Sequence, residues 1–256
     1  MTDIVLIEHE GGVTKITLNR PEKRNAINND VLALVGQGVD EAVAKGSRAV
    51  VLTGAGDKAF CAGGDLNPGG GFVFDFANPV TAYGGLLRKA HACPLPIIAA
   101  VNGHCLAGGM GFLAMADLAI AVEDAKFGLP EVKIGLYPFQ VLALLKSLVA
   151  PRLLQEMCLT GAMYDAAFAQ SAGLVNRVVP RDGFQAAVDE LLKTLGSVSP
   201  TALRRGKYVM RAMEGMEFHS AIAFAEGQLT LAAQSGDAQE GLAAFNEKRP
   251  PAFKGV

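Results

Sequence analysis

The chemistry in this 256-residue chain is placed on backbone more than on side chains. Within "PLPIIAAVNGHCLAGGMGFLAMADLAIAVEDAKFGLPEVKIGLYP" there is no Asp, Glu, Lys or Arg between Ala92 and Ala116. A single carboxylate, Glu131, then stands in an apolar run with Phe127, Leu129, Pro130 and Ile134. A second glycine segment, "CAGGD" (61–65), follows the apolar run "RAVVLTG". Glycine lets a ligand approach backbone N–H groups, and a helix start leaves such donors unpaired and electropositive. One N–H from "CAGGD" and one from "LAGGMG", converging on one oxygen, would stabilise charge developing on a carbonyl. A Glu131 buried among those neighbours should have a raised pKa, which suits a base working near neutral pH.

Other chemistries are less well supported. "GAGDKA" (54–59) and "GMGFLA" (109–114) match a dinucleotide-binding pattern. The first runs into more glycines and Pro68 instead of a helix, and the second lies far from its strand, so the context is wrong. No nucleophile elbow, phosphate-binding loop or zinc-protease motif occurs. His9, His91, His104 and His219 are scattered, and Cys61, Cys93, Cys105 and Cys158 form no CxxC pair, so no metal site is expected. These cysteines read as buried thiols of a cytoplasmic protein. "LRRGKYVMR" (203–211) reads as one solvated helix face. A net charge of −2 and a pI near 6.1 provide no global field for nucleic acid or an anionic membrane. The N-terminus lacks the basic region of a secretory signal. Pro94, Pro96, Asn102 and the paired glycines argue against a membrane span at 92–116. Half of the residues are apolar and mean hydropathy is +0.28, which points to a homo-oligomer that covers the excess.

The supporting elements follow from local pattern. "IVLIEHEGGVTKITLNR" predicts two strands around Gly11-Gly12, and "NNDVLALVGQGVDEAVAKG" a helix capped at Asn28 or Asn29 and ended by Gly46. "RAVVLTG", "PIIAAV" and "DLAIAV" are buried strands, residues near 80–91 a helix, and the glycine segment opens an apolar helix ending near Met115. After Pro138 helices dominate, with one further strand in "LVNRVV". Strand–helix alternation followed by helices indicates an α/β core with a helical C-terminal part. "NPGGGFVFDFANP" (67–79) reads as a loop.

"ITLNRPEKRNAI", "VVLTGAGDKAFCAGGDL", "PIIAAVNGHCLAGGMGFLAMADLAIA", "FGLPEVKIGLYP", "AGLVNRVV" and "GLAAFNEKRP" together resemble the crotonase (enoyl-CoA hydratase/isomerase) superfamily across nearly the whole chain. The resemblance implies a spiral of strand–strand–helix units at 1–195. Residues 196–256 would be a helical region that covers the site and builds a homotrimer or hexamer, continuous with the core. It implies an acyl-CoA thioester substrate, with coenzyme A as part of the substrate and no separate cofactor.

By position, the oxyanion donors fall on Gly64 and Gly108, and Glu131 is the acid/base. Ala62, Asp65, Leu66 and Asn67 would follow the adenine and pantetheine. Lys23, Arg24, Lys248 and Phe245, the last two from a neighbouring subunit, would lie near the phosphates. Well-known hydratases of the family carry a further glutamate three residues after the oxyanion glycine, where this chain has Gly111. One carboxylate suffices to shift a double bond from C3 to C2, whereas hydration also needs a held water. Tyr137 or Gln140 is a candidate to hold it. Three readings therefore stand: a 2-enoyl-CoA hydratase, a 3-enoyl to 2-enoyl-CoA isomerase, and a weakly catalytic acyl-CoA-binding homologue.

Overall fold

The computed structural model describes residues 3–66, 77 and 80–255. Asn67 and the loop phenylalanines Phe72, Phe74 and Phe76 lie outside the described residues.

Among the described residues, one sheet has the order β1-β2-β3-β5-β7-β10. β1 (Val5–Glu10) and β2 (Val13–Leu18) form an antiparallel hairpin. Gly11 and Gly12 turn it with φ of +56° and +76°, the left-handed region that glycine enters without steric cost. β3 (Ala49–Gly54), β5 (Ile97–Val101), β7 (Leu118–Val122) and β10 (Arg177–Val179) follow, each parallel to its predecessor. β3 and β5 read as unbroken apolar runs because both faces of the sheet are covered. Val50, Leu52, Ile97 and Ala99 join the core containing α1 (Asn29–Ala44). Their alternate neighbours Val51, Ile98 and Ala100 meet Val188 and Leu195 of α7 (Phe184–Ser197) on the other face. Asn28 caps α1 by accepting from the Val31 amide at 2.9 Å, and Gly46 (φ +66°) follows its end.

A second sheet, β4 (Ala59–Cys61), β6 (His104–Leu106), β8 (Lys126–Gly128) and β9 (Met163–Asp165), escapes the sequence reading. Three-residue strands are too short to show a period. Between the strands lie α2 (Ala82–Ala92), α3 (Gly108–Ala114), α4 (Phe139–Leu145), α5 (Pro151–Thr160) and α6 (Ala166–Ser171).

The C-terminal helices are α8 (Pro200–Ala212), α9 (Phe218–Ala233) and α10 (Gly236–Asn246). The solvated-face reading of 203–211 needs correction. Lys207 donates to the Asp117 carboxylate and to the Leu95 carbonyl, and Arg211 donates to the Cys93 carbonyl at 2.9 Å. Both cations face the spiral because strand-end carbonyls and Asp117 offer acceptors there. Tyr208, Met210, Phe218, Leu229, Leu242 and Phe245 are left exposed on the same helices.

Asp237, buried at the start of α10, ties the C-terminal segment down. It accepts from the Ser199 hydroxyl at 2.7 Å, the Thr201 amide at 3.3 Å, and the Lys254 and Gly255 amides at 2.9 Å each. Burial pushes its carboxyl up, but these donors outweigh burial and hold it well below the usual carboxylate range. The folded-state value lies below the unfolded one, so this stabilisation is complete above the ordinary aspartate range and fades as pH falls toward the folded value. Asp237→Ala is expected to destabilise by about 2 kcal/mol at neutral pH. Amide exchange at Lys254 and Gly255 should accelerate, and the stability gap to the unaltered protein should narrow in acid. A gap independent of pH would show that the charge contributes nothing.

Candidate active site

β4, β6 and β8 are parallel neighbours, so their carboxyl ends share one edge, where open parallel sheets bind ligands. From those ends issue Ala62–Gly64, Gly108 and Glu131. The structure thus brings together three residues that are far apart in sequence.

The first of these segments is held from outside by residues 20–27. Ile27 N donates to Gly63 O and Asp65 N to Ile27 O, both at 2.8 Å, while Ala62 N donates to Arg24 O at 3.0 Å. This parallel bridge uses the groups flanking Gly64, which turns the Gly64 N–H to the opposite side. Arg20 braces the loop further, donating to Asp65 Oδ2 at 2.8 Å and to Ala26 O at 2.7 Å. Asp65 therefore points inward, and any ligand running along 62–65 meets backbone there instead of this carboxylate.

The second segment enters α3 through Ala107, whose φ of +50° and ψ of −124° are strained for a residue with a Cβ. A 2.9 Å bond from Ala107 N to Gly128 O pins it. Gly108 then begins the helix, where an N–H has no partner within the helix. The two donors are close: a Cβ built on Gly108 would lie 3.7 Å from Gly64 N, and one on Gly63 only 3.3 Å from Gly108 N. A side chain at either position would fill the space between the loops.

Glu131 lies in the short helical turn Pro130–Ile134 that follows β8. Leu129 behind it is fully buried, whereas Ile134 is exposed. Glu131 is half-buried, and its Oε2 is buried without a hydrogen-bond partner. Burial pushes the carboxyl up, opposed only by a hydrogen bond from the residue's own backbone. An unpartnered carboxylate of raised basicity is ready to take a proton.

Around this centre, Lys23 and Arg24 are exposed next to Ala62, and Leu66 projects into solvent. The Tyr137 phenol lies against Cys158, and the Gln140 amide donates to Thr81, the cap of α2. Phe245 and Lys248 stand exposed at the C-terminal end of α10, which packs chiefly on α8 and α9. One residue near the centre has no sequence signal at all: Tyr83 of α2 donates its hydroxyl to the Gly108 carbonyl and sits directly over Gly111. A concavity of about 770 Å³ between α2, α4 and α8 is lined by Leu87, Leu144 and Lys207, and Glu131 is not part of its wall.

The family model described as enoyl-CoA hydratase/isomerase matches residues 8–256. The chain belongs to the enoyl-CoA hydratase/isomerase family. It is 33% identical to a 2,3-dehydroadipyl-CoA hydratase of Escherichia coli, covering 98% of each chain. It is 32% identical to a short-chain-enoyl-CoA hydratase of Clostridium acetobutylicum, covering 96% of this chain and 95% of the relative. The crystal structure of an enoyl-CoA hydratase from Bacillus anthracis superposes with a TM-score of 0.91 at 30% identity, over 99% of this chain and all of that one. The expected crotonase architecture, mixed α/β with a helical C-terminal region, is therefore the observed one. As a hydratase/isomerase family member, the chain has no helix among its described residues long and apolar enough to cross a membrane.

Proposed function

We propose that the protein hydrates a 2-enoyl-CoA thioester, with Gly64 and Gly108 N–H groups holding the thioester oxygen and Glu131 as acid and base. The observation that carries this reading is the convergence of two backbone donors and one unpartnered carboxylate at the carboxyl ends of β4, β6 and β8. Hydrogen bonds to the thioester oxygen stabilise the enolate and make C3 of the conjugated system electrophilic. Water bonds to C3 as Glu131 takes its proton, and the C2–C3 electron pair moves onto the enolate. Glu131 then returns that proton to C2, completing the addition. The relatives named as hydratases support this direction.

Gly111 favours a second reading. With one carboxylate, Glu131 could remove a proton from C2 of a 3-enoyl-CoA and return it to C4, an isomerisation that needs no water. Two absorbance assays separate the readings. Loss of the conjugated-thioester signal from a 2-enoyl-CoA is expected for the hydratase; gain of that signal from a 3-enoyl-CoA, with no loss in the first assay, would establish the isomerase. Silence in both would favour an acyl-CoA-binding role without turnover.

The same proposal extends to the surroundings. The backbone at Ala62, Asp65, Leu66 and Asn67 and the cations Lys23 and Arg24 serve the CoA portion, which makes a separate cofactor unnecessary. Tyr137 borders the acid/base. The exposed apolar residues of α8–α10 support a homotrimer or hexamer in which the 196–256 region docks on a neighbour. Phe245 and Lys248 would then reach the neighbour's CoA. Four free, buried thiols fit a reducing cytoplasm.

A further inference from the structure

Gly111 leaves a space on α3, and a side chain from another helix fills it. Tyr83, in the first turn of α2, lays its ring tilted against Phe112 with centroids 6.0 Å apart. Its hydroxyl stands where a Cβ on Gly111 would project, and the two would overlap. A phenol carries one hydrogen and also accepts, whereas a carbonyl only accepts. The bond between Tyr83 and the Gly108 carbonyl therefore commits the phenolic hydrogen to Gly108 and leaves the oxygen as an acceptor. Burial, then the neighbouring Cys61, Cys105 and Glu131 groups, push the phenol well above its ordinary range, so it keeps its hydrogen at working pH. Glu131 is near enough to contribute, and its own Oε2 has no partner.

We propose that Tyr83 is the second water-holding group of the hydration reaction, its oxygen accepting one hydrogen of the attacking water while Glu131 accepts the other. This rests on the hydratase reading above. A water whose two hydrogens are both held presents a lone pair in a fixed direction, toward C3. As the O–C3 bond forms, the proton passes to Glu131 and then to C2. The hydrogen shared with Tyr83 remains on the new hydroxyl, and Tyr83 keeps its own hydrogen on Gly108 throughout. The chain thus needs no carboxylate at position 111 and has no room for one while Tyr83 is there. Tyr137 faces Cys158 and Gln140 is engaged with Thr81, which makes both weaker candidates for this task.

The test compares two activities of Tyr83→Phe, which keeps the ring and removes the oxygen. One is hydration of a 2-enoyl-CoA; the other is exchange of C2 protons of a saturated acyl-CoA with solvent deuterium, which needs the enolate site and Glu131 but no attacking water. Hydration is expected to fall about 100-fold, and the ratio of hydration to exchange at least about 30-fold. Equal losses in both would reduce Tyr83 to a support for the Gly108 donor and overturn the proposal, as would unimpaired hydration. A rescue gives a second handle: Tyr83→Ala with Gly111→Glu should hydrate about tenfold faster than Tyr83→Ala alone, because the vacated space accepts the carboxylate. A folded double variant without rescue, verified by its melting curve, would count against the shared-space argument. If the unaltered protein exchanges C2 protons but never hydrates, Tyr83 has no such role while the enolate reading stands. If it does neither, the functional reading itself fails.

Discussion

Replacing Glu131 by glutamine is expected to lower kcat by about 10²–10⁴-fold while changing KM little. The amide is nearly isosteric but cannot take a proton, and the groups proposed to grip the thioester oxygen and CoA are untouched. The raised carboxyl adds a pH signature. Glu131 must be ionised to accept the first proton, so the acid limb of kcat/KM should lie above the ordinary glutamate range. Stability should move the opposite way from activity. Because the folded-state pKa is raised, the carboxyl costs nothing below the ordinary glutamate range and becomes destabilising as pH rises through its folded value. Glu131→Gln should therefore melt at a higher temperature than the unaltered protein at neutral pH, with the difference vanishing in acid. An activity loss without that stability gain would mean that the unpartnered oxygen is better solvated than its burial indicates.

The second large effect is on folding. Asp65→Ala would leave the Arg20 guanidinium, only 12% exposed, without its counter-charge. Removing one partner of such a pair costs about 3–5 kcal/mol. For a chain of this size that lowers Tm by about 6–20 °C. Activity should fall as well, by about 100-fold, because Gly64 is aimed by the same loop and a displacement near 1 Å is enough. Replacing both residues, Arg20→Met with Asp65→Leu, should recover much of the stability, since a matched apolar pair is often no worse than a buried ion pair. A Tm within two or three degrees of the unaltered protein in Asp65→Ala, about 1 kcal/mol, would show the pair to be dispensable.

Position and role separated at Asp65. The "CAGGD" spacing places it correctly beside the candidate oxyanion donor, but spacing carries no information about where a side chain turns. That depends on Arg20, 45 residues earlier, and on the bridge between Ile27 and Gly64. The long strands were legible because β3 and β5 are five or six residues long and apolar on both faces. The strands that position the site were not, since β4, β6 and β8 span three residues each. α10 was missed for a different reason: its N-terminal turn, "GDAQEG", carries little apolar periodicity. Lys207 and Arg211 show the limit of composition, because a basic run looks the same whether it meets water or strand-end carbonyls. Gly111 was legible as a missing carboxylate, yet nothing in the sequence ties it to Tyr83, which arrives from a separate helix.

The central claim is that two backbone N–H groups stabilise a thioester enolate and that Glu131 moves its proton. Exchange of C2 protons into deuterated water, followed by NMR on a saturated acyl-CoA bound to the purified protein, tests it without reference to hydration or isomerisation. The account predicts exchange by the unaltered protein and none by Glu131→Gln, with acyl-CoA binding retained in both. Exchange that persists in Glu131→Gln, or tight binding without exchange in the unaltered protein, would contradict it.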